Sequence, residues 1–158
     1  MLQLQANAAT RYVKNTASGT GSGNSWANAS SDLQLMIDQS NAGDEVWVAT
    51  GFYKPTRLYS NTTVISLNDR NNSFVLKPNV KIYGGFFGNE TTLSVRVWQS
   101  NQTVLDGDIG TYNDSSDNCY SVVRCTTAVG TAAIDGFYIR NGNGSGLTPG
   151  SGAQAGSG

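Results

Sequence analysis

Leu33, Met36 and Ile37 fall at i, i+3 and i+4, which lays one apolar stripe along a helix. Ser31 stands in front of them with Gln34 three residues later, the pattern of a capping box. Asn41-Ala42-Gly43 is a stop signal, so the pattern predicts one helix over about residues 31–40. A helix that short does not persist alone and must lie on a core. The pattern then changes. Val46-Trp47-Val48 is a continuous apolar run closed at Gly51, which reads as a buried strand, and Phe52-Tyr53-Lys54-Pro55 turns outward. Further short strands are expected at Arg11–Lys14, Ser73–Leu76, Val80–Tyr83, Val104-Leu105 and Ser121–Cys125, with two more in Thr131–Arg140 hinged at Asp135-Gly136. Between them lie polar excursions at 56–72 and 86–102, the second with a turn of helix near Thr91–Arg96, and an Asp-rich loop at 106–118.

The inner apolar residues Ile82, Leu105, Val123 and Ile139 recur at intervals of roughly 16 to 23 residues, the spacing of a solenoid rung. A sandwich would show strands every ~8–12 residues joined by hairpin turns. Leu105-Asp106-Gly107 and Ile134-Asp135-Gly136 read as one corner written twice, with glycine supplying the bend. The expected fold is therefore all-β: a right-handed parallel β-helix of few rungs with one N-terminal capping helix, Trp26 stapling that helix in place. Residues 1–10 are expected to be a flexible leader remnant, 11–142 the capped coil, and 143–158 a Gly/Ser-rich incomplete rung or tail, the coil being C-terminally truncated. An uncapped last rung near Thr131–Arg140 would leave a sheet edge open, so self-association into a homo-oligomer through that end is expected.

Composition narrows the function. Charged residues are 13% of the 158, about half the usual share, and their place is taken by Asn, Ser, Thr and 19 Gly, residues that favour turns over exposed helices. A net charge of −1 offers no electrostatic footprint for nucleic acid. No apolar run is long enough to span a membrane, so no membrane insertion is expected. The chain has no histidine, which removes zinc-hydrolase and Ser-His-Asp or Cys-His chemistry. Cys119 and Cys125 would lie about 20 Å apart on one strand. They would pair only across a turn, and are read as buried thiols or half-buried fillers.

Several motifs together resemble the N-terminal segment of large bacterial right-handed parallel β-helix surface and secreted proteins of the pectin-lyase-like superfamily. They are Tyr12-Val13-Lys14, the glycines 19, 21 and 23, Ser25-Trp26-Ala27-Asn28-Ala29, Asp32-Leu33-Gln34, Ile37-Asp38, Gly43–Ala49, Tyr53-Lys54-Pro55-Thr56, Tyr83–Thr91, Val104–Asp108 and Ile134–Ile139. The resemblance covers residues 12 to about 142. It implies a secreted or cell-surface bacterial protein whose role is structural or adhesive, with polysaccharide as a partner. The alternative it brings is a polysaccharide-active enzyme, a lyase or glycoside hydrolase, or an inactive fragment of one.

Three sets of residues carry candidate chemistry. Asp106, Asp108, Asp114 and Asp117, with Asn113 and Asn118, offer oxygen ligands to a hard cation such as calcium; the bland alternative is a solvated turn whose Asp and Asn bond their own backbone. Asp106 and Asp108 share a strand parity, which would place their carboxylates about 6–7 Å apart, inside the range for an inverting glycosidase. Any Asp-x-Asp gives that spacing. Trp98, Tyr59 and Tyr112 fall on the excursions and are the aromatic residues best placed to stack on a sugar.

Overall fold

A computed structural model describes residues 8–127 and 130–145. The strands are β1 (Thr10–Val13), β2 (Glu45–Ala49), β3 (Gly51–Tyr53), β4 (Arg57–Leu58), β5 (Asn61–Ile65), β6 (Phe74–Val75), β7 (Lys81–Phe86), β8 (Thr103–Asp106), β9 (Val123–Arg124), β10 (Ala133–Asp135) and β11 (Phe137–Arg140); one helix, α1 (Leu33–Gln39), lies between β1 and β2. The strands form four small sheets. Three are parallel, in the orders β1-β2-β7-β10, β11-β8-β3 and β6-β9, and the fourth is the antiparallel hairpin β4-β5.

Register divides the side chains between two faces. Val46 pairs with Ile82, and Ile82 with Ile134; Tyr53 pairs with Leu105, and Leu105 with Ile139. Val13, Val46, Val48, Ile82, Tyr53, Leu105 and Phe74 meet the helix residues Leu33, Met36 and Ile37 in one core. Each of the larger aliphatic side chains buried there contributes about 1.5–3 kcal/mol of transfer free energy. Outside the four-stranded sheet a second apolar cluster forms. Trp47 stacks on Phe86 with ring centroids 4.6 Å apart, and Tyr12 and Trp26 close around them edge-on or tilted. Trp26 therefore staples the 15–29 loop to the outer face of the sheet, not the helix, and its indole N–H donates to the Glu90 carbonyl at 2.9 Å.

The helix begins one residue later than the capping-box pattern places it. Asp32 is its N-cap, accepting from the Leu35 amide at 2.9 Å. Gln34 does not reach back to the cap. It is 3% exposed and faces β6, where its Oε1 accepts from Val75 N at 2.8 Å and its Nε2 donates to Val75 O at 3.1 Å. The side chain thus fills the place of a neighbouring strand.

The expectation of a single all-β coil, a right-handed parallel β-helix, is corrected. The strands are parted among four separate sheets, and one pair is antiparallel. The reason lies in the excursions. Residues 57–65, read as irregular, fold on themselves as β4-β5, and Arg57 ties that hairpin to the helix by donating to Asp32 Oδ2 at 2.5 Å and to the Thr62 carbonyl at 2.9 Å. Strands of two to six residues, separated by such excursions, pair in short blocks. The two Asp-Gly corners also differ. Gly136, at φ +80°, turns the chain from β10 in one sheet to β11 in the next. Gly107 follows β8, and a side chain there would run into the Asn141 carbonyl and the Cys119 sulfur. Gly51, read as the end of a strand, opens β3 at φ +144°. Cys119 is buried and Cys125 exposed, both as free thiols, and β9 keeps only two residues of the strand expected there. Among the described residues no helix is long and apolar enough to cross a membrane. The expectations for residues 1–7 and 146–158 fall outside the described residues.

Candidate functional site

The outer face of β3-β8-β11 gathers the most chemistry. Phe52, Val104 and Tyr138 occupy one register row across the three strands. Strands in a sheet lie about 4.8 Å apart, so the two rings stand about 10 Å apart, with Val104 between them. Val104 is buried, whereas Phe52 is 59% and Tyr138 41% exposed. The Arg140 guanidinium carbon lies 5.1 Å from the centre of the Phe52 ring, within cation–π range. Phe52 and Lys54 also line a cleft of about 240 Å³, together with Asn15, Asp32 and Gln34. That is below the ~300–1,000 Å³ of pockets for drug-sized ligands, and has room for one sugar ring more readily than for a chain.

Carboxylates sit beneath the cations of this face. Asp106 ends β8 directly beside Arg140, which donates to its Oδ2 through Nη2 at 2.8 Å and Nε at 3.2 Å. Its Oδ1 accepts from Asn141 Nδ2 at 2.7 Å and from the Asp108 amide at 3.1 Å. Burial alone raises the Asp106 carboxyl, but the hydrogen bonds from Arg140, Asn141 and the Asp108 amide, together with the charge of Arg140, bring it below the ordinary aspartate value. The burial of Cys119, reinforced by the negative charge of Asp106, pushes its thiol up to about 12. It therefore stays protonated and unreactive at neutral pH. Asp108 Oδ2 accepts from the Asn113 amide at 3.0 Å. Its Oδ1 is buried with no hydrogen-bond partner among the described residues, and the Lys54 ammonium lies 3.9 Å from it.

The four aspartates expected to share a cation are not drawn together. Asp106 is engaged by Arg140 and Asn141. Asp114 is exposed and accepts from Ser116 N and Oγ at 2.9 and 2.6 Å, bonds that lower its carboxyl below the ordinary value. Asp117 folds over Gly110 and accepts from the Thr111 amide at 2.6 Å. Among the described residues no three His, Cys, Asp or Glu side chains stand close enough to hold a metal ion. Arg140, Asn141 and the Asp108 amide hold Asp106 ionised, so of the two carboxylates Asp106 is not placed to give a proton, as a general acid must.

The aromatic residues expected to bind sugar are scattered. Tyr112 is 78% exposed on the Asp-rich loop, and Trp98 is 44% exposed on the 86–102 excursion. Tyr59 lies under the Arg124 guanidinium, 4.0 Å from ring centre to carbon. Phe52 escapes the sequence reading because it looks like part of a turn. Aligning Gly51–Tyr53 with Thr103–Leu105 and Phe137–Ile139 would put both rings in one row.

Comparison with family models, with curated proteins and with solved structures finds no match to this chain.

Proposed function

We propose that this chain is a structural and adhesive segment of a bacterial cell-surface or secreted protein, and that it meets glycans across the outer face of β3-β8-β11. One observation carries the reading: Phe52 and Tyr138 project from the same flat row, separated by Val104 and flanked by Lys54 and Arg140. A sugar ring has apolar C–H faces and a polar rim. Exposed aromatic faces with a few charged hydrogen-bonding groups beside them suit that mixture. Parallel pairing supports the reading, because the strands hold the two rings on a rigid sheet instead of on loops. The motifs shared with bacterial β-helix surface proteins favour the same location for the chain. The sequence-derived self-association belongs to this proposal as well: Ile134 and Phe137 at the β10-β11 end are half-buried and Ile139 is 44% exposed.

The test is a glycan array probed with the wild type, Phe52→Ala and Tyr138→Ala, with circular dichroism as the check on folding. Both rings are exposed, so the variants are expected to fold and to lose binding. Binding that survives both substitutions would remove the face from consideration, and the absence of any bound glycan would remove the reading. Release of reducing ends or unsaturated products from a bound polysaccharide would favour the enzymatic alternative.

A further inference from the structure

We propose that the face of β3-β8-β11 selects an extended, neutral, equatorially linked glycan, such as a β-1,4-linked chain, and that alternate sugar units of it stack on Phe52 and Tyr138. This rests on the glycan reading given above and names the class of chain. Phe52, Val104 and Tyr138 are register partners on three parallel strands. Successive strands stand about 4.8 Å apart, so the two rings are about 10 Å apart across the sheet, the advance of two sugar units in an extended chain. The rings therefore fall under the first and third units. In an all-equatorial chain each unit is turned over relative to the last, so the first and third show the same face to a flat surface. The middle unit then lies over Val104, which is 6% exposed and leaves a gap between the two exposed rings. A helical, axially linked glycan turns its third unit away and meets one ring at a time.

Charge points to a neutral chain. Arg140 is the register partner of Asp106 and spends Nε and Nη2 on its carboxylate at 3.2 and 2.8 Å. The Lys54 ammonium stands 3.9 Å from the buried Oδ1 of Asp108. Each of these two cations thus has a carboxylate beside it. A carboxylated sugar would find no uncompensated positive charge here to offset its loss of hydration. Sugar hydroxyls, in contrast, can accept from the half-exposed ammonium and guanidinium without bringing a charge into the site. The Arg140 guanidinium carbon, 5.1 Å from the Phe52 ring centre, is close enough to meet the hydroxyl rim of a sugar stacked on that ring, and Phe52 stays 59% exposed with the guanidinium in place.

Amide chemical-shift titration of the whole chain tests this, with the amides of Phe52, Val104 and Tyr138 as reporters. The probes are the two-unit and three-unit β-1,4 chains of glucose and of N-acetylglucosamine, with maltotriose and trigalacturonate as the axially linked and the acidic comparisons. Linking two contacts makes the second intramolecular, so a three-unit β-1,4 chain is expected to bind at least about tenfold tighter than its two-unit form. It should also bind tighter than maltotriose and trigalacturonate. Tyr138→Ala, with folding checked by circular dichroism, should remove the gain from the third unit. A three-unit chain no tighter than the two-unit one overturns the proposal, and so does a preference for maltotriose or trigalacturonate. If Phe52→Ala abolishes the shifts in either of those cases, the face still meets glycans, of another class. A chain that binds none of the probes overturns the proposal too, and the glycan array then decides separately whether the face binds any glycan.

Discussion

Gln34→Met should be among the most damaging conservative substitutions in the chain. Methionine matches glutamine closely in length and fits beside the neighbouring Leu33, Met36 and Ile37. It removes the amide that serves both main-chain groups of Val75, the N–H at 2.8 Å and the C=O at 3.1 Å. Gln34 and Val75 are both buried, so no water replaces what is lost. A buried backbone donor or acceptor left without a partner costs about 1–3 kcal/mol, so two of them give an expected loss of about 2–6 kcal/mol. Domains of this size are stable by about 5–15 kcal/mol, so roughly a third of the total is at stake. Urea unfolding should show a lower midpoint with an unchanged slope, and hydrogen exchange should show the Val75 amide opening faster than its neighbours.

Gln34→Glu refines the test through its pH dependence. The carboxylate it introduces would, when ionised, still accept from Val75 N. It would also face the Val75 carbonyl and the Asp38 carboxylate, which now accepts from Gln34 Nε2 at 2.9 Å. The folded pKa of the introduced group would lie above its unfolded value. The linked stability is then present below the unfolded pKa and is lost as pH rises through the folded one. The variant should therefore regain stability in mild acid, where the wild type does not. A Gln34→Met protein within about 0.5 kcal/mol of wild type, with Val75 exchange unchanged, would refute the idea that this side chain stands in for a strand.

Two further outcomes are expected. Gly136→Ala should cost about 1–3 kcal/mol, read as a lower Tm, because φ is +80° and the new methyl would lie 2.7 Å from the Gly84 carbonyl, which cannot move aside as Arg96 can. Asp106 has a depressed carboxyl in the folded protein, so its contribution is present above the unfolded value of about 3.8 and is lost as pH falls through the folded one; Asp106→Asn should be less stable than wild type at pH 7 and should lose less stability on acidification, as followed by thermal unfolding between pH 7 and pH 2.

Local pattern reaches the elements but not the way they are shared out among sheets. The helix stripe of Leu33, Met36 and Ile37 and the run Val46-Trp47-Val48 are periodic signals contained within a few residues, and both elements are present. What joins them is not contained locally. Arg140 and Asp106 are 34 positions apart, Gln34 and Val75 are 41, and Trp26 and Glu90 are 64. Each pairing depends on a register that only the assembled sheets define. The even spacing of inner apolar residues suggests one continuous coil because it takes no account of the excursions. Those segments are polar in composition and look passive, although one of them folds into the hairpin that Arg57 anchors to the helix.

In the Asp-rich segment composition names the side-chain oxygens but leaves their geometry open. Four aspartates within twelve residues suggest shared ligation or an acid–base pair, since side-chain oxygens are what both need. In the folded chain each carboxylate is drawn to a different nearby donor: Asp106 to Arg140 and Asn141, Asp108 to the Asn113 amide, Asp114 to Ser116, and Asp117 to the Thr111 amide. A short Asp or Asn side chain reaches the backbone a few residues away at little entropic cost, whereas converging on one point would require the loop to hold like charges together with nothing between them. In this arrangement the aspartates fix the loop behind the sheet face. The groups left exposed on that face are Phe52, Tyr138, Lys54 and Arg140, so the glycan recognition proposed there depends on rings and cations, with the carboxylates as their support.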